Sequence, residues 1–88
     1  MTEESELEYE AILTRDEIAE HLEAFAEQLR GTDEIEFDVG GRATTINPPE
    51  RVEFEVELED EPEDDGVERS IEFELEWIRG EDEDELPT

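Results

Sequence analysis

Few side chains in this sequence could do covalent chemistry. His21 is the only histidine. It lies on a Glu-rich segment with Glu17 one helical turn before it, where an imidazole is better explained as a carboxylate's hydrogen-bond partner than as a general base or ligand. Acid–base and metal sites built on histidine usually need a second partner, and there is no second histidine to supply one. Ser5 and Ser70 have no neighbouring histidine in the pattern to activate them. Gly40-Gly41 reads as a hairpin turn and not as a phosphate-cradling loop. With no cysteine, disulfides, thiolate chemistry and sulfur-ligated metals are excluded.

One metal-like spacing needs weighing. Glu61, Glu63, Asp65, Gly66 and Glu72 fall at positions one, three, five, six and twelve of a calcium-loop pattern. The detail fails: Glu replaces Asp at the first position, Pro62 stiffens the second, and Glu68 takes the usual apolar eighth. Its flanks read as strands, not helices. The expectation is no catalytic residue, no cofactor and no specific metal, with only diffuse K⁺ and Na⁺ gathered on the carboxylates.

Trp77 and Ile78 are the candidate interface. Trp77 continues the apolar phase of Ile71, Phe73 and Leu75, so it either seals the core under a helix or borders a patch used for association. Ile78 breaks the alternation and must point the other way. The ladder of Glu53, Glu55, Glu57, Glu72, Glu74 and Glu76 is the other surface that could meet a partner. Three readings stay open. In the first, the protein is a non-enzymatic interaction or self-associating module, expected as a homodimer. In the second, it is an acidic nucleic-acid mimic that binds a basic protein. The third, an enzyme or small-ligand binder, has least support.

The composition explains why carboxylates dominate. Thirty-three Asp and Glu stand against six basic residues, for a formal net charge of −27, and all six basic residues are Arg. Acid-rich, weakly hydrophobic chains are normally disordered. Here, however, the acids alternate with apolar residues at period two or cluster on one helical face, which disordered tracts do not do. Such a surface repels itself in dilute buffer, while at molar salt the Debye length shrinks to about 3 Å. Lys-free, Glu-rich surfaces of this kind fit a high-salt cytosol. Nucleic acid is excluded as a partner, because the charge repels phosphate at any salt low enough for charge to matter. No apolar run approaches a membrane span of about 20 residues, and Met1-Thr2-Glu3-Glu4 lacks signal-peptide character. A cytoplasmic protein with no membrane partner is expected.

The elements follow from periodicity. Leu7, Tyr9 and Ala11 alternate with Glu6, Glu8 and Glu10, predicting a first short strand. Thr14 followed by Glu17 forms a capping box, with Leu13 and Ile18 as its hydrophobic staple. Ile18, Leu22, Phe25 and Leu29 make one helical stripe. Arg30 suits the helix C-terminus, and Gly31 is expected as a left-handed stop.

Ile35, Phe37 and Val39 form the next strand. A primed turn at Gly40-Gly41 returns Arg42–Asn47 antiparallel, with Ile35 opposite Ile46 and Phe37 opposite Thr44. Asn47-Pro48-Pro49 ends it. Val52–Glu59 and Ile71–Trp77 are two longer strands joined by a loop at Glu61–Gly66. Both apolar sets must face one side, so the compact register sets Leu58 against Ile71, Val56 against Phe73, Phe54 against Leu75 and Val52 against Trp77. It also sets Glu57 against Glu72, Glu55 against Glu74 and Glu53 against Glu76. The whole predicts an α+β fold, with a single helix packed on a mainly antiparallel five-stranded sheet in the order β-α-β-β-β-β. Residues 1–5 and the acidic tail 80–88 are expected to be disordered around one domain at 6–79.

The strand Ser70-Ile71-Glu72-Phe73-Glu74-Leu75-Glu76-Trp77, preceded by Asn47-Pro48-Pro49-Glu50 and Val52–Leu58, resembles the amphi-Trp domain, a small module frequent in haloarchaea. The resemblance covers roughly Leu7 to Trp77. It implies no activity, ligand or catalytic residue that could be carried onto these positions.

Overall fold

The structure is a computed structural model that describes residues 5–31, 34–81, 83 and 86. Parts of the predicted disordered ends, residues 1–4 and residues 82, 84, 85, 87 and 88, lie outside the described residues. Helix α1 spans Arg15–Arg30, followed by strands β1 Ile35–Val39, β2 Arg42–Ile46, β3 Glu53–Glu63 and β4 Gly66–Glu76. The chain divides into two compact units, Met1–Asn47 with Gly80–Thr88 and Pro48–Arg79.

In the first unit the helix starts as its sequence dictates. The Thr14 hydroxyl accepts from the Glu17 N–H at 3.2 Å, and Glu17 Oε1 accepts from the Thr14 N–H at 3.0 Å. This reciprocal box satisfies two donors that the first turn would otherwise orphan. Asp16 and Glu17 occupy the first turn and Arg30 the last, each favourable to the helix dipole. Gly31 ends the helix, but with φ −74° its backbone is extended and not left-handed as expected. Its N–H donates to the Gln28 carbonyl at 3.1 Å, closing a tight last turn before the chain straightens.

Strands β1 and β2 pair antiparallel in the predicted register, with Ile35 opposite Ile46 and Phe37 opposite Thr44. The turn between them has φ +61° at Gly40 and +91° at Gly41, values a primed hairpin turn requires and glycine adopts freely. Gly40 is constrained twice, because a Cβ there would lie 2.6 Å from Cδ1 of Tyr9. Asp38 Oδ1 accepts from the Gly41 N–H at 2.7 Å and fixes the turn. Ile35 is the fully buried side chain of this hairpin, 1% exposed, with Thr44 beside it. The helix meets β1 edge-on through Phe25 and Phe37, whose ring centroids are 5.4 Å apart at 65°.

The five-stranded sheet is not formed. The strands make two separate antiparallel pairs, β1–β2 and β3–β4, and residues 6–11 are not a strand. The element order is therefore one helix followed by four strands, not β-α-β-β-β-β. One physical reason lies at the free edge of β1. The Gln28 side chain accepts from the Glu36 N–H at 3.2 Å and donates to the Glu36 carbonyl at 3.4 Å. A helix side chain thus occupies the hydrogen-bonding site that another strand would need, a way of blunting an edge. Tyr9 lies against the Gly40 turn instead of pairing. Alternation shows which residues could face one way; it creates no partner strand.

The second unit is the β3–β4 ribbon. Leu58↔Ile71, Val56↔Phe73 and Phe54↔Leu75 pair as the sequence predicts, but the expected Val52–Trp77 pair does not form, because the ladder ends at Glu53↔Glu76 and both residues lie just outside the strands. The predicted loop at Glu61–Gly66 is mostly strand, because pairing continues to Glu63↔Gly66 and leaves only Asp64-Asp65 as the turn. Pro62 sits inside the ladder opposite Val67. A two-stranded ribbon tolerates this, since each strand is an edge whose outward N–H groups need no partner.

Candidate functional site

A regular one-to-one register sorts the ribbon into two faces of opposite character. One face carries the rungs Phe54/Leu75, Val56/Phe73, Leu58/Ile71, Asp60/Arg69 and Pro62/Val67. The other carries Glu53/Glu76, Glu55/Glu74, Glu57/Glu72, Glu59/Ser70 and Glu61/Glu68.

The apolar face is uncovered. Phe54, Val56, Leu58, Val67, Ile71 and Phe73 are each between 55% and 66% exposed. The rings of Phe54 and Phe73 stack across the strands, centroids 6.3 Å apart at 18°. A contiguous apolar face of this kind marks an interaction surface more often than scattered exposed residues do.

Within this face lies its one charged rung. Arg69 Nε donates to Asp60 Oδ1 at 2.6 Å and its Nη2 donates to Asp60 Oδ2 at 2.9 Å, a bidentate fork. The Arg69 guanidinium holds the Asp60 carboxyl below its ordinary range, and Asp60 in turn raises Arg69. Reading by residue type did not single out this pair. Continuing the register two residues past Leu58↔Ile71 would have found it.

On the acidic face the Glu74 carboxyl is pushed above its ordinary value of 4.5, first by a hydrogen bond shared with Glu76, then by the charge of Glu55 opposite. Glu76 and Glu72 beside it on β4 add repulsion. Glu17, in the first unit, is lowered, mainly by its hydrogen bonds to Thr14 and least by the charge of His21.

These directions give opposite pH dependences. A raised Glu74 stabilises the fold most below its ordinary value, and that contribution is lost as pH rises through the elevated folded value. The lowered Asp60 and Glu17 contribute above their ordinary values of 3.8 and 4.5, and that is lost as pH falls through their depressed ones. At the lowest salt that keeps the fold, acidification from neutral toward the ordinary Glu74 value of 4.5 is expected to raise the denaturant midpoint of the ribbon. Further acidification should lower it again. Glu74→Gln should flatten the rise; an equal rise in that variant rejects this account.

The remaining sequence candidates are placed as follows. Trp77 is half-buried, one residue beyond β4, and Ile78 is 94% exposed. His21 is exposed on α1, and Ser70 lies on the acidic face opposite Glu59. Glu61 and Glu63 of the calcium-like spacing sit on β3, with Gly66 and Glu72 on β4, so the segment is a ribbon and not a cation loop. Among the described residues no three metal-ligating side chains converge, and no helix is long and apolar enough to cross a membrane.

No curated protein and no solved structure matches the chain. A family model described as the Amphi-Trp domain matches residues 1–87, a span that includes the capped helix, the whole amphipathic ribbon and Trp77 just beyond it. The chain belongs to the Amphi-Trp domain family.

Proposed function

We propose that the protein is a non-enzymatic interaction module, working in a concentrated-salt cytosol through the apolar face of the β3–β4 ribbon. The observation that carries this reading is the two-sided ribbon itself: a continuous apolar face left open, backed by rows of glutamate. The acidic back keeps the ribbon hydrated and discourages edge-to-edge aggregation, while the apolar front offers the surface that association would bury. Trp77 and Ile78 extend the same unit past the last rung; Trp77 keeps the phase of the apolar face and forms its rim, while Ile78 has the phase of the acidic face.

The test is photo-crosslinking in cells at their native salt, with a photoreactive side chain at position 56 or position 57. Position 56 should crosslink to protein, whether another copy or a different chain, and position 57 on the opposite face should not. Crosslinks from neither position, or equally from both, reject an interface on this face.

A second reading has the ordered acidic array as its support. Glu53, Glu55, Glu57, Glu72, Glu74 and Glu76 stand in three facing pairs, a row of negative charge that a basic protein could bind as it binds phosphates. In that case position 57 crosslinks and position 56 does not.

A further inference from the structure

We propose that the occupant of the apolar face is a second copy of this chain, stacked face to face about a two-fold axis parallel to the strands. This rests on the interaction reading above and goes beyond it by naming the partner and the geometry.

Charge decides between faces and edges. Pairing two ribbons edge to edge adds new glutamates about 5 Å from those already facing one another. Stacking them face to face turns both acidic faces outward. The sheets then lie about 10 Å apart, with the glutamates farther out still, so the two acidic layers are separated by more than a Debye length at high salt. A chain of charge −27 can meet its own copy only through a face that carries no net charge. The apolar face meets that condition, because its charges are one aspartate and one arginine.

The Asp60–Arg69 rung also selects the axis. A two-fold parallel to the strands lays β3 over β4 of the second copy, rung upon like rung. Asp60 then faces Arg69 of the partner subunit, and Arg69 faces Asp60 of the partner subunit, giving a closed square of alternating charge. The same operation sets Val56 against Phe73, Phe54 against Leu75 and Leu58 against Ile71, so larger residues meet smaller or branched ones throughout.

A two-fold running across the strands fails at this rung. Centred on Leu58/Ile71 it presses Asp60 against a valine and strips its water with nothing in return. Centred on Asp60/Arg69 it stacks aspartate on aspartate. Aligned sheets pack at about −30°, which an axis along the strands accommodates with each ribbon inclined by about half of that.

The area suffices. Six apolar side chains, each with over half its surface open, supply roughly 600 Å² per copy, or about 1,200 Å² in total, the lower bound of a standard specific interface.

The experiment takes the full chain in about 3 M KCl and measures sedimentation from about 10 to 100 µM. A dimer is expected, and Val56→Glu should be a monomer with an unchanged circular dichroism spectrum. Because the natural chain has no cysteine, the axis is read independently by single-cysteine variants that keep the fold. Mixing Leu58→Cys with Ile71→Cys should give a disulfide-linked heterodimer, while Leu58→Cys alone should link to itself at least tenfold more slowly. Preferential self-linking of Leu58→Cys overturns the axis, and a monomer at all concentrations overturns the second copy. If that monomer still crosslinks from position 56 to another protein in cells, the interaction reading stands and only the self-partner is rejected. If Val56→Glu loses its fold, the cysteine pair alone decides.

Discussion

Lowering the salt is expected to dissolve the β3–β4 pairing, and restoring it should bring the ribbon back. Glu53/Glu76, Glu55/Glu74, Glu57/Glu72 and Glu61/Glu68 stand directly opposite one another on one face, the arrangement that most destabilises an antiparallel pair. For charges about 5 Å apart, screening leaves about 60% of the repulsion at 0.1 M salt and about 20% at 1 M, with Debye lengths of about 10 and 3 Å. The opposing attraction is small, because Phe54, Val56, Leu58, Val67, Ile71 and Phe73 remain more than half exposed within one chain. Once screening is removed, the Asp60–Arg69 fork and the Phe54–Phe73 stack are too few to offset four facing carboxylate pairs. Far-UV circular dichroism on dialysis from about 3 M to 0.01 M KCl should show strand signal lost in a reversible transition.

Salt also strengthens apolar association, so charge needs its own control. Replacing Glu53, Glu55, Glu57, Glu72, Glu74 and Glu76 with Gln removes three of the four facing pairs and should move the transition to several-fold lower salt. A six-Gln variant with an unshifted midpoint would show that screening is not what holds the ribbon. A parent chain with equal stability at both extremes would remove the salt-adapted reading altogether.

The features legible in the sequence were those set by neighbours along the chain. Thr14 and Glu17 lie three residues apart, and a capping box needs nothing else. Gly40-Gly41 fixed the turn and therefore the Ile35–Ile46 register. The phase of apolar residues gave the rungs from Phe54/Leu75 to Leu58/Ile71.

What was not legible depends on contacts with no local trace. Residues 6–11 have the alternation of a strand, but the nearest edge of β1 is taken at Glu36 by a glutamine from the helix. Pro62, Asp64 and Asp65 carry the composition of a loop, yet the ladder runs on past Pro62 because a ribbon's outer N–H groups go to water. Nor does alternation along β3 and β4 reveal that six apolar side chains of the ribbon stay more than half exposed. The Asp60–Arg69 fork was hidden for a similar reason, being eclipsed by the many carboxylates around it until the register was extended.

Ile35→Ala should be the most damaging single truncation in the helix-bearing unit. Ile35 is 1% exposed, pairs with Ile46 and lies on the strand whose Phe37 meets Phe25 of α1. Cutting a buried isoleucine to alanine removes its transfer free energy and leaves a cavity, together costing about 2–5 kcal/mol. A unit of about 50 residues has only roughly 3–8 kcal/mol in total to lose, at typical stability per residue. The variant is thus expected to be largely unfolded in this unit near physiological temperature, whereas Ile35→Val should cost about 0.5–1.5 kcal/mol and keep the fold.

Leu22→Ala supplies the contrast, because Leu22 belongs to the same apolar set of the sequence but is about half exposed on α1. Its loss should cost about 1 kcal/mol or less. Denaturant unfolding of the three variants in about 3 M KCl, followed through the protection of the β1 and β2 amides, orders them directly. Equal losses for Ile35→Ala and Leu22→Ala would mean that the unit is not organised around Ile35, and that the helix stripe is buried to the same degree in solution. The expected separation of at least 1–2 kcal/mol, roughly the transfer difference between a buried and a half-exposed side chain, identifies the β1–β2 hairpin as the anchor on which the capped helix rests.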